Sequence, residues 1–432
     1  MKGVEKMREL KVFIEIKGSQ TFVGTIRGNG SADAVFSYTD EYLSTRNPAP
    51  ISISLPLQKD PFSSDQTRNY FESLLPEGFS RTAVADWIKV DEKDYLTILS
   101  FLGRECLGAI KIIEGEEISE SEYELLTEAR IKELAAEGAT KSTEILMETH
   151  LSLTGATGKV GLYFDEASDK WYLPKGNAPS THIVKQSHVR LKHIVLNEQL
   201  CILTAKNLGF DVPESFIINK SANDDELLFA TKRYDRVFSD EKYIHGLPCP
   251  LRLHQEDFAQ ALGILANDKY EKKPSKYMKR MFELIRNHSS DPIEDQKVLL
   301  RSIIFNFLIG NTDCHVKNYS LLYSADLGAK RLAPIYDLVA TRVYKTTSEM
   351  SFFIGGELDI ERIDRTNYAK AAEDIGLSGR MVLNTFDEMT EGFENALAMA
   401  ADELENLGFE QAISMKRDIL QSGGYRNVSW GL

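Results

Sequence analysis

The sequence predicts an α+β protein with a mixed α/β front half and a mostly helical back half. Two observations predict it. Before about Leu251, short β-branched or alternating runs recur between turn-forming residues, the pattern of strands. After Leu251, nearly every long segment carries its apolar residues at helical spacing. The division expected from this change is an N-terminal α/β lobe over 1–250 and a C-terminal helical lobe over 251–432. Within the first, 1–113 and 150–236 read as separate parts.

Leu10–Ile16 and Thr21–Ile26 read as strands, and Gly28, Asn29 and Gly30 mark a turn after them. Ile51–Leu57 alternates strictly as far as Pro56 and is expected to be another strand. Helical spacing runs from near Asp65 to Pro76 and again over 93–102, with a strand at Leu107–Ile113. The acidic run from Glu114 to Glu124 reads as a solvated connection. A short helix over Glu128–Glu137 closes at Gly138. Lys159–Phe164 and Trp171–Leu173 form a hairpin pattern, and Thr181–Lys185 is a β-branched strand ending on a lysine. Leu196–Leu208 is helical, with Gly209 as its stop. Glu214–Asn219 and Leu227–Thr231 read as strands. Helices are then expected at Glu256–Leu265, Tyr277–Ile285, Gln296–Ile309 and Glu394–Leu407.

The 51 basic and 65 acidic residues leave a net charge of −14. Such a chain does not bind nucleic acid through its overall field, because phosphate neutralisation needs clustered lysine and arginine. No apolar run approaches the ~20 residues of a membrane span, and Met1–Lys11 lacks the apolar centre of a signal peptide. Cys106, Cys201, Cys249 and Cys314 form no C-x-x-C pair, which argues against a zinc site or a disulfide framework. The expectation is a soluble, cytoplasmic protein.

The chemistry concentrates after the apolar helix ending at Gly310, where the chain reads N-T-D-C-H-V-K-N. Asp313 and Asn318 share the D-x-x-x-x-N spacing of a protein-kinase catalytic loop. One carboxylate there receives the proton of the substrate hydroxyl, and an amide oxygen a turn later ligates Mg²⁺. Asp337, nineteen residues on in P-I-Y-D-L, supplies the carboxylate that Mg²⁺ needs beside phosphate oxygens. Each signal is weak alone, since an isolated aspartate of this kind is usually a loop or helix cap. Upstream, L-T-G-A-T-G-K places Gly155 and Gly158 where backbone amides can face phosphates. It is not a Walker A loop: Leu153 stands where glycine is required, and Val160 follows Lys159 where serine or threonine would hold Mg²⁺. Lys185, on a short strand after that loop, can bridge nucleotide phosphates, with Glu198 on the next helix as its candidate partner. Taken singly, Lys185 is better explained as an edge-strand lysine, and Glu198 equally well as a surface glutamate. His315 is read either as a contact to the glycine loop or the γ-phosphate, or as a residue that fixes loop geometry.

These segments together resemble the HipA family of toxin kinases. The ordered matches include S-I-S-L-P-L-Q, L-L-P-E-G, S-L-T-G-A-T-G-K, T-H-I-V-K, K-R-Y-D-R, R-L-H-Q-E-D, T-D-C-H-V-K-N and P-I-Y-D. The resemblance implies a two-lobed protein-kinase-like fold, ATP and Mg²⁺, and phosphorylation of a protein serine or threonine. By position, Asp313 is then the catalytic acid/base, and Asn318 and Asp337 hold Mg²⁺. Thr154, Gly155, Ala156, Thr157, Gly158 and Lys159 form the phosphate loop, and Lys185 holds phosphates. Lys232, Arg233 and Tyr234 lie at the adenine hinge, and His315 and Tyr336 line the nucleotide site. Ser152 matches the serine that such kinases autophosphorylate to switch themselves off. The family also implies a helix-turn-helix antitoxin dimer as partner, operator DNA bound mainly through it, a co-repressor role, and a substrate in translation such as an aminoacyl-tRNA synthetase. The sequence departs from the family at Thr157–Gly158, where a bulkier pair is usual, at Lys232, where an acidic residue is usual, and at Cys314, which replaces a small residue.

Two rival readings stand beside this one. A kinase-like fold also serves small-molecule and lipid kinases. A non-catalytic scaffold bridging antitoxin and DNA is the other, although it would not need Asp313, Asn318, Asp337 and Lys185 together.

Overall fold

A computed structural model describes residues 7–115, 120–136, 158–187, 191–218, 226–239 and 241–428. Two compact units interleave along the chain. The first takes Met1–Gln186, Ala230–Ala266 and Leu322–Ala329; the second takes Ser187–Phe229, Asn267–Leu321 and Lys330–Leu432.

The first unit is built on two sheets. An antiparallel sheet runs in the order Val35–Tyr38, Ser19–Gly28, Arg8–Ile16, Ile110–Glu114. Its alternation places Leu10, Val12 and Ile14 wholly inside, and a bulge at Val12/Phe13 shifts the register. Phe62 and Phe71 pack against Phe36 of this sheet, Phe71 from the helix Ser64–Phe71, which starts at a capping box of Ser63 and Gln66. A second sheet carries Glu122–Leu125, Lys170–Lys175, Lys159–Asp165, His182–Gln186 and Leu228–Lys232 in that order. The last of these strands brings the chain from the second unit into the first.

Two expectations fail here. Ile51–Leu57 is not a strand: it makes one isolated bridge, Ser52 with Leu55. The segment is instead tethered to a buried carboxylate. Ser52 Oγ and the Ile53 amide donate to Glu256, as does the Tyr323 hydroxyl, while His254 Nε2 contacts Ile51 O at 2.8 Å. The acidic run is also more than a solvated connection, because Glu122–Leu125 pairs with Lys170–Lys175 and Glu124 forms an ion pair with Lys175.

Behind the sheets lies a buried cluster of opposite charges. Arg252 donates to Glu105 Oε2 at 2.9 Å and lies 3.3 Å from Glu15. Arg236 binds Glu105 at 2.8 Å, and Arg233 grips Asp235 through Nε at 2.9 Å and Nη2 at 2.8 Å. Asp235 also accepts from the Gly108 amide, where φ is +72° and a Cβ would lie 2.7 Å from the Gln255 nitrogen. Burial by itself would raise the Glu105 carboxyl, but Arg252, Arg236 and Arg233 hold it at about 2. The same contest puts Asp235 well below the usual carboxylate range.

The second unit is mainly helical, as the spacing predicts. Pro292–Ile309 starts at Asp291 with proline in its first turn and buries almost its whole length. It packs against Tyr277–His288 and Gly379–Asn406. The latter helix spans 28 residues and also packs on Ile194–Asn207, Arg365–Ile375 and Gln411–Ser422. Short strands interrupt the helices, notably Glu349–Ile354 with Glu357–Asp359.

Two stability predictions follow from the buried carboxylates. Glu105→Ala removes a carboxylate shared by three guanidinium groups and leaves them only Asp235 and Glu15, and it should lower the unfolding free energy by ~3–5 kcal/mol in urea titrations. The native Glu105 carboxyl lies below its ordinary 4.5, so its contribution is present above pH 4.5 and lost as pH falls through about 2. Glu256 has the opposite sign: burial pushes it up to about 7, against the hydrogen bonds from Ser52, Tyr323 and Ile53. Its contribution is therefore full below pH 4.5 and lost as pH rises through about 7. Glu256→Gln should flatten the stability–pH curve in that window.

Candidate active site

The site begins where the helix Pro292–Ile309 is forced to stop. Gly310 sits at φ +75°, and a Cβ there would lie 2.9 Å from the Gly423 Cα, so the chain turns sharply without a side chain. The loop that follows is tied down residue by residue. Thr341 Oγ1 donates to Gly310 O at 3.1 Å and accepts the Thr312 amide at 2.8 Å. Ser351 Oγ donates to Thr312 O at 2.8 Å. Buried Asn311 accepts the Asp313 amide at 3.1 Å, and its Nδ2 donates to Asn306 Oδ1 at 2.8 Å.

These bonds present Asp313 at the end of the loop with its side chain 53% exposed. Asn318 closes the turn, its Nδ2 donating to Asp313 O at 2.8 Å. That bond uses the amide nitrogen and leaves Oδ1 as the end that can meet a cation. His315 is buried, and its Nε2 lies 4.0 Å from Asp313 Oδ1. The Tyr270 hydroxyl donates to the same Oδ1, and its ring meets the His315 ring edge-on at 5.2 Å.

Asp337 joins this group through its backbone: Asn311 Nδ2 reaches Asp337 O at 3.4 Å. Its φ is +56°, a left-handed conformation costly for a residue other than glycine. Tyr336 beside it donates to Lys317 O at 3.0 Å and lies 2.7 Å from Ser320 Oγ. Asn197 grips the following loop from both sides, donating to Ala340 O at 3.2 Å and accepting the Ala340 amide at 2.8 Å. Next to it, Glu198 is buried on the helix Ile194–Asn207 rather than exposed at the surface.

The first unit brings a second set together. Antiparallel register sets Lys159 directly opposite Lys185, and the Gln186 amide donates to Gly158 O at 3.3 Å. The pairing sets the two lysines side by side on one face of the ladder. Ser152, Thr154, Gly155, Ala156 and Thr157 lie outside the described residues. At the expected hinge, Lys232 forms an ion pair with Glu166 at 2.8 Å, and the Tyr234 hydroxyl donates to Gln255. The Arg233 side chain is spent on the buried cluster, and its amide on Thr181 O at 2.8 Å. Adenine recognition through the Arg233 side chain is therefore not available in this arrangement.

Sequence reading missed Asn197, Tyr270, Thr341 and Ser351. Each acts through a contact distant in sequence, and none belongs to a recognisable spacing. For Asn197 a signal existed, since it opens the N-E-Q-L run.

Comparison with known proteins shows which family the chain resembles. A profile of the HipA-like C-terminal domain matches residues 151–397, and one of the HipA N-terminal domain matches 14–113. The putative kinase Y4mE of Sinorhizobium fredii is 31% identical over 394 residues, covering 89% of this chain and 91% of that protein. The serine/threonine-protein kinase toxin HipA of Shewanella oneidensis is 24% identical over 400 residues, covering 89% and 88%. A solved complex of Shewanella oneidensis HipA with HipB and operator DNA contains a chain of the same fold, with a TM-score of 0.76, 21% identity, and coverage of 98% and 97%.

The left-handed backbone at Asp337 is testable by stability alone. Asp337→Gly should be more stable than Asp337→Ala by about 1 kcal/mol, because only glycine adopts that conformation without a Cβ penalty. Paired thermal unfolding scans of the two variants measure the difference.

Proposed function

The chain belongs to the HipA family, and from that membership we propose that it is a serine/threonine-protein kinase toxin of a type II toxin–antitoxin system. The observation that carries the reading is the loop after Gly310. It offers an outward carboxylate on Asp313, an amide oxygen on Asn318 turned away from its own bond, and Asp337 fastened to the same Asn311. This is the donor set that phosphoryl transfer from ATP requires.

In this reading Lys159 and Lys185, with the loop Thr154–Gly158, hold the phosphates of ATP. Lys232–Tyr234 meet adenine through backbone groups other than the Arg233 amide, which Thr181 holds, and Tyr336 and His315 line the nucleotide site. Glu198 is the candidate partner of Lys185. Asp313 accepts the proton of the acceptor hydroxyl as its oxygen bonds to Pγ and the bridge to Pβ breaks, releasing ADP. The oxygen donors of Asn318 and Asp337 suit Mg²⁺, which when bound supplies charge neutralisation at the phosphates. Phosphate on Ser152 would place ~−1.5 to −2 charge on the segment that receives ATP phosphates, an off-switch by repulsion.

The partners follow from the same membership. The Shewanella protein was solved with HipB and operator DNA. We assign this chain a comparable helix-turn-helix antitoxin, with operator DNA met mainly through it and the toxin acting as co-repressor. The net charge of −14 suits docking on a basic DNA-binding dimer. The acceptor is assigned to the translation machinery, an aminoacyl-tRNA synthetase being the expected type, and the site of action to the cytoplasm. No helix among the described residues is long and apolar enough to cross a membrane.

Incubation with γ-labelled ATP and a cell extract tests the reading. Label should appear on Ser152 and on a translation protein; label confined to metabolites would sink it. Asp313→Ala should lower transfer by roughly 10²–10⁴-fold and abolish growth arrest while antitoxin binding persists.

A further inference from the structure

We infer that Tyr270 is a positioning residue for phosphoryl transfer, acting through the carboxylate of Asp313. The inference rests on the reading of Asp313 as the base.

Tyr270 donates its hydroxyl to Asp313 Oδ1, the oxygen that His315 Nε2 approaches to 4.0 Å. Its ring lies at 81° to the imidazole ring, so hydroxyl and ring together make a corner enclosing one side of the carboxylate. An aspartate 53% exposed has freedom about both its side-chain torsions. A base must nevertheless meet the acceptor hydroxyl at hydrogen-bonding distance and in line with the bond being made. A donor fixed on one oxygen removes that freedom, as the third group of a catalytic triad does for its base.

The segment that carries Tyr270 is tied down, although the ring itself is exposed. The next residue, Glu271, is buried and anchors the segment. Its Oε1 accepts the Ser275 amide at 2.6 Å, its Oε2 accepts the Phe353 amide at 3.0 Å, and its own amide donates to Ser351 O at 2.8 Å. Ser351 also holds the catalytic loop, through Oγ to Thr312 O. Base and orienting hydroxyl are therefore fastened to one residue of the strand Glu349–Ile354. A surface tyrosine that met Asp313 by chance would not need this shared anchor.

The reaction is unchanged by the assignment. The acceptor oxygen bonds to Pγ, the Pγ–O–Pβ bridge breaks, ADP leaves, and the hydroxyl proton goes to Asp313. Tyr270 keeps its own proton and sets the direction from which the carboxylate receives the other.

The test is Tyr270→Phe in the full chain, which keeps the ring against His315 and removes only the hydroxyl. Transfer from γ-labelled ATP to myelin basic protein, a basic serine-containing acceptor, is followed at varied concentrations of both. The expected result is a kcat about ten- to a hundredfold lower, with KM for ATP and for acceptor within about twofold of wild type. The melting temperature should not change. The double variant Asp313→Ala/Tyr270→Phe should be no slower than Asp313→Ala, because the hydroxyl acts only through the carboxylate. A kcat within twofold of wild type for Tyr270→Phe, beside an inactive Asp313→Ala, would overturn the role of Tyr270 and leave the kinase reading standing. Asp313→Ala as active as wild type would overturn the reading itself, and the inference with it.

Discussion

The first unit depends on a cluster of charges that cannot exist singly. Glu15, Glu105 and Asp235 face Arg233, Arg236 and Arg252 inside the protein. An ion taken from water into an apolar interior meets a penalty of several kcal/mol, which only close opposite charges and full hydrogen bonding repay. Each member therefore dictates where its neighbours lie. Arg252 connects the strand Arg8–Ile16, through Glu15, to the loop carrying Glu105. Arg233 and Asp235 bring the end of Leu228–Lys232 to the same place, and the Gly108 amide completes the set. The charges act less as a source of stability than as a register: one packing gives each of them an opposite charge.

That cluster also explains where residue patterns were legible and where they were not. The strands Arg8–Ile16 and Ser19–Gly28 and the helix Pro292–Ile309 follow from periodicity, because one face of each meets apolar neighbours. Charged residues carry no such marker. The K-R-Y-D-R run reads as an adenine hinge or as an ordinary connecting strand with exposed charges, since lysine, arginine and aspartate are rarely buried. Only the positions of Glu105 and Arg252, distant in sequence, show that Arg233 and Asp235 are interior. Likewise Ile51–Leu57 alternates as a strand does, yet it answers to Glu256, a residue about two hundred positions away.

The candidate site shows the same division. Asp313 and Asn318 were legible because a turn imposes their spacing, and the structure joins them by a direct bond. Asp337 was legible as a carboxylate at a set distance, but its left-handed backbone was not. What sequence could not supply is the scaffold around them. Asn311, Thr341 and Ser351 each hold one end of the loop, and Tyr270 holds the carboxylate. These residues are ordinary polar side chains in any local window. Their roles exist only once helices and strands have brought them together, and the most precise part of the site is the part least visible beforehand.

The Glu256 carboxylate, in the middle stretch of its unit, gathers donors from the other two. Ser52 lies in the first, Glu256 itself in the second, and Tyr323 in the eight residues Leu322–Ala329 that form the third. During synthesis the first stretch leaves the ribosome long before the last, at about 5–20 residues per second. Until Tyr323 emerges, the carboxylate lacks a donor and the segment after Ile51 lacks its full anchor. A unit woven in this way can complete that anchor only after residues on both sides of Glu256 have been made.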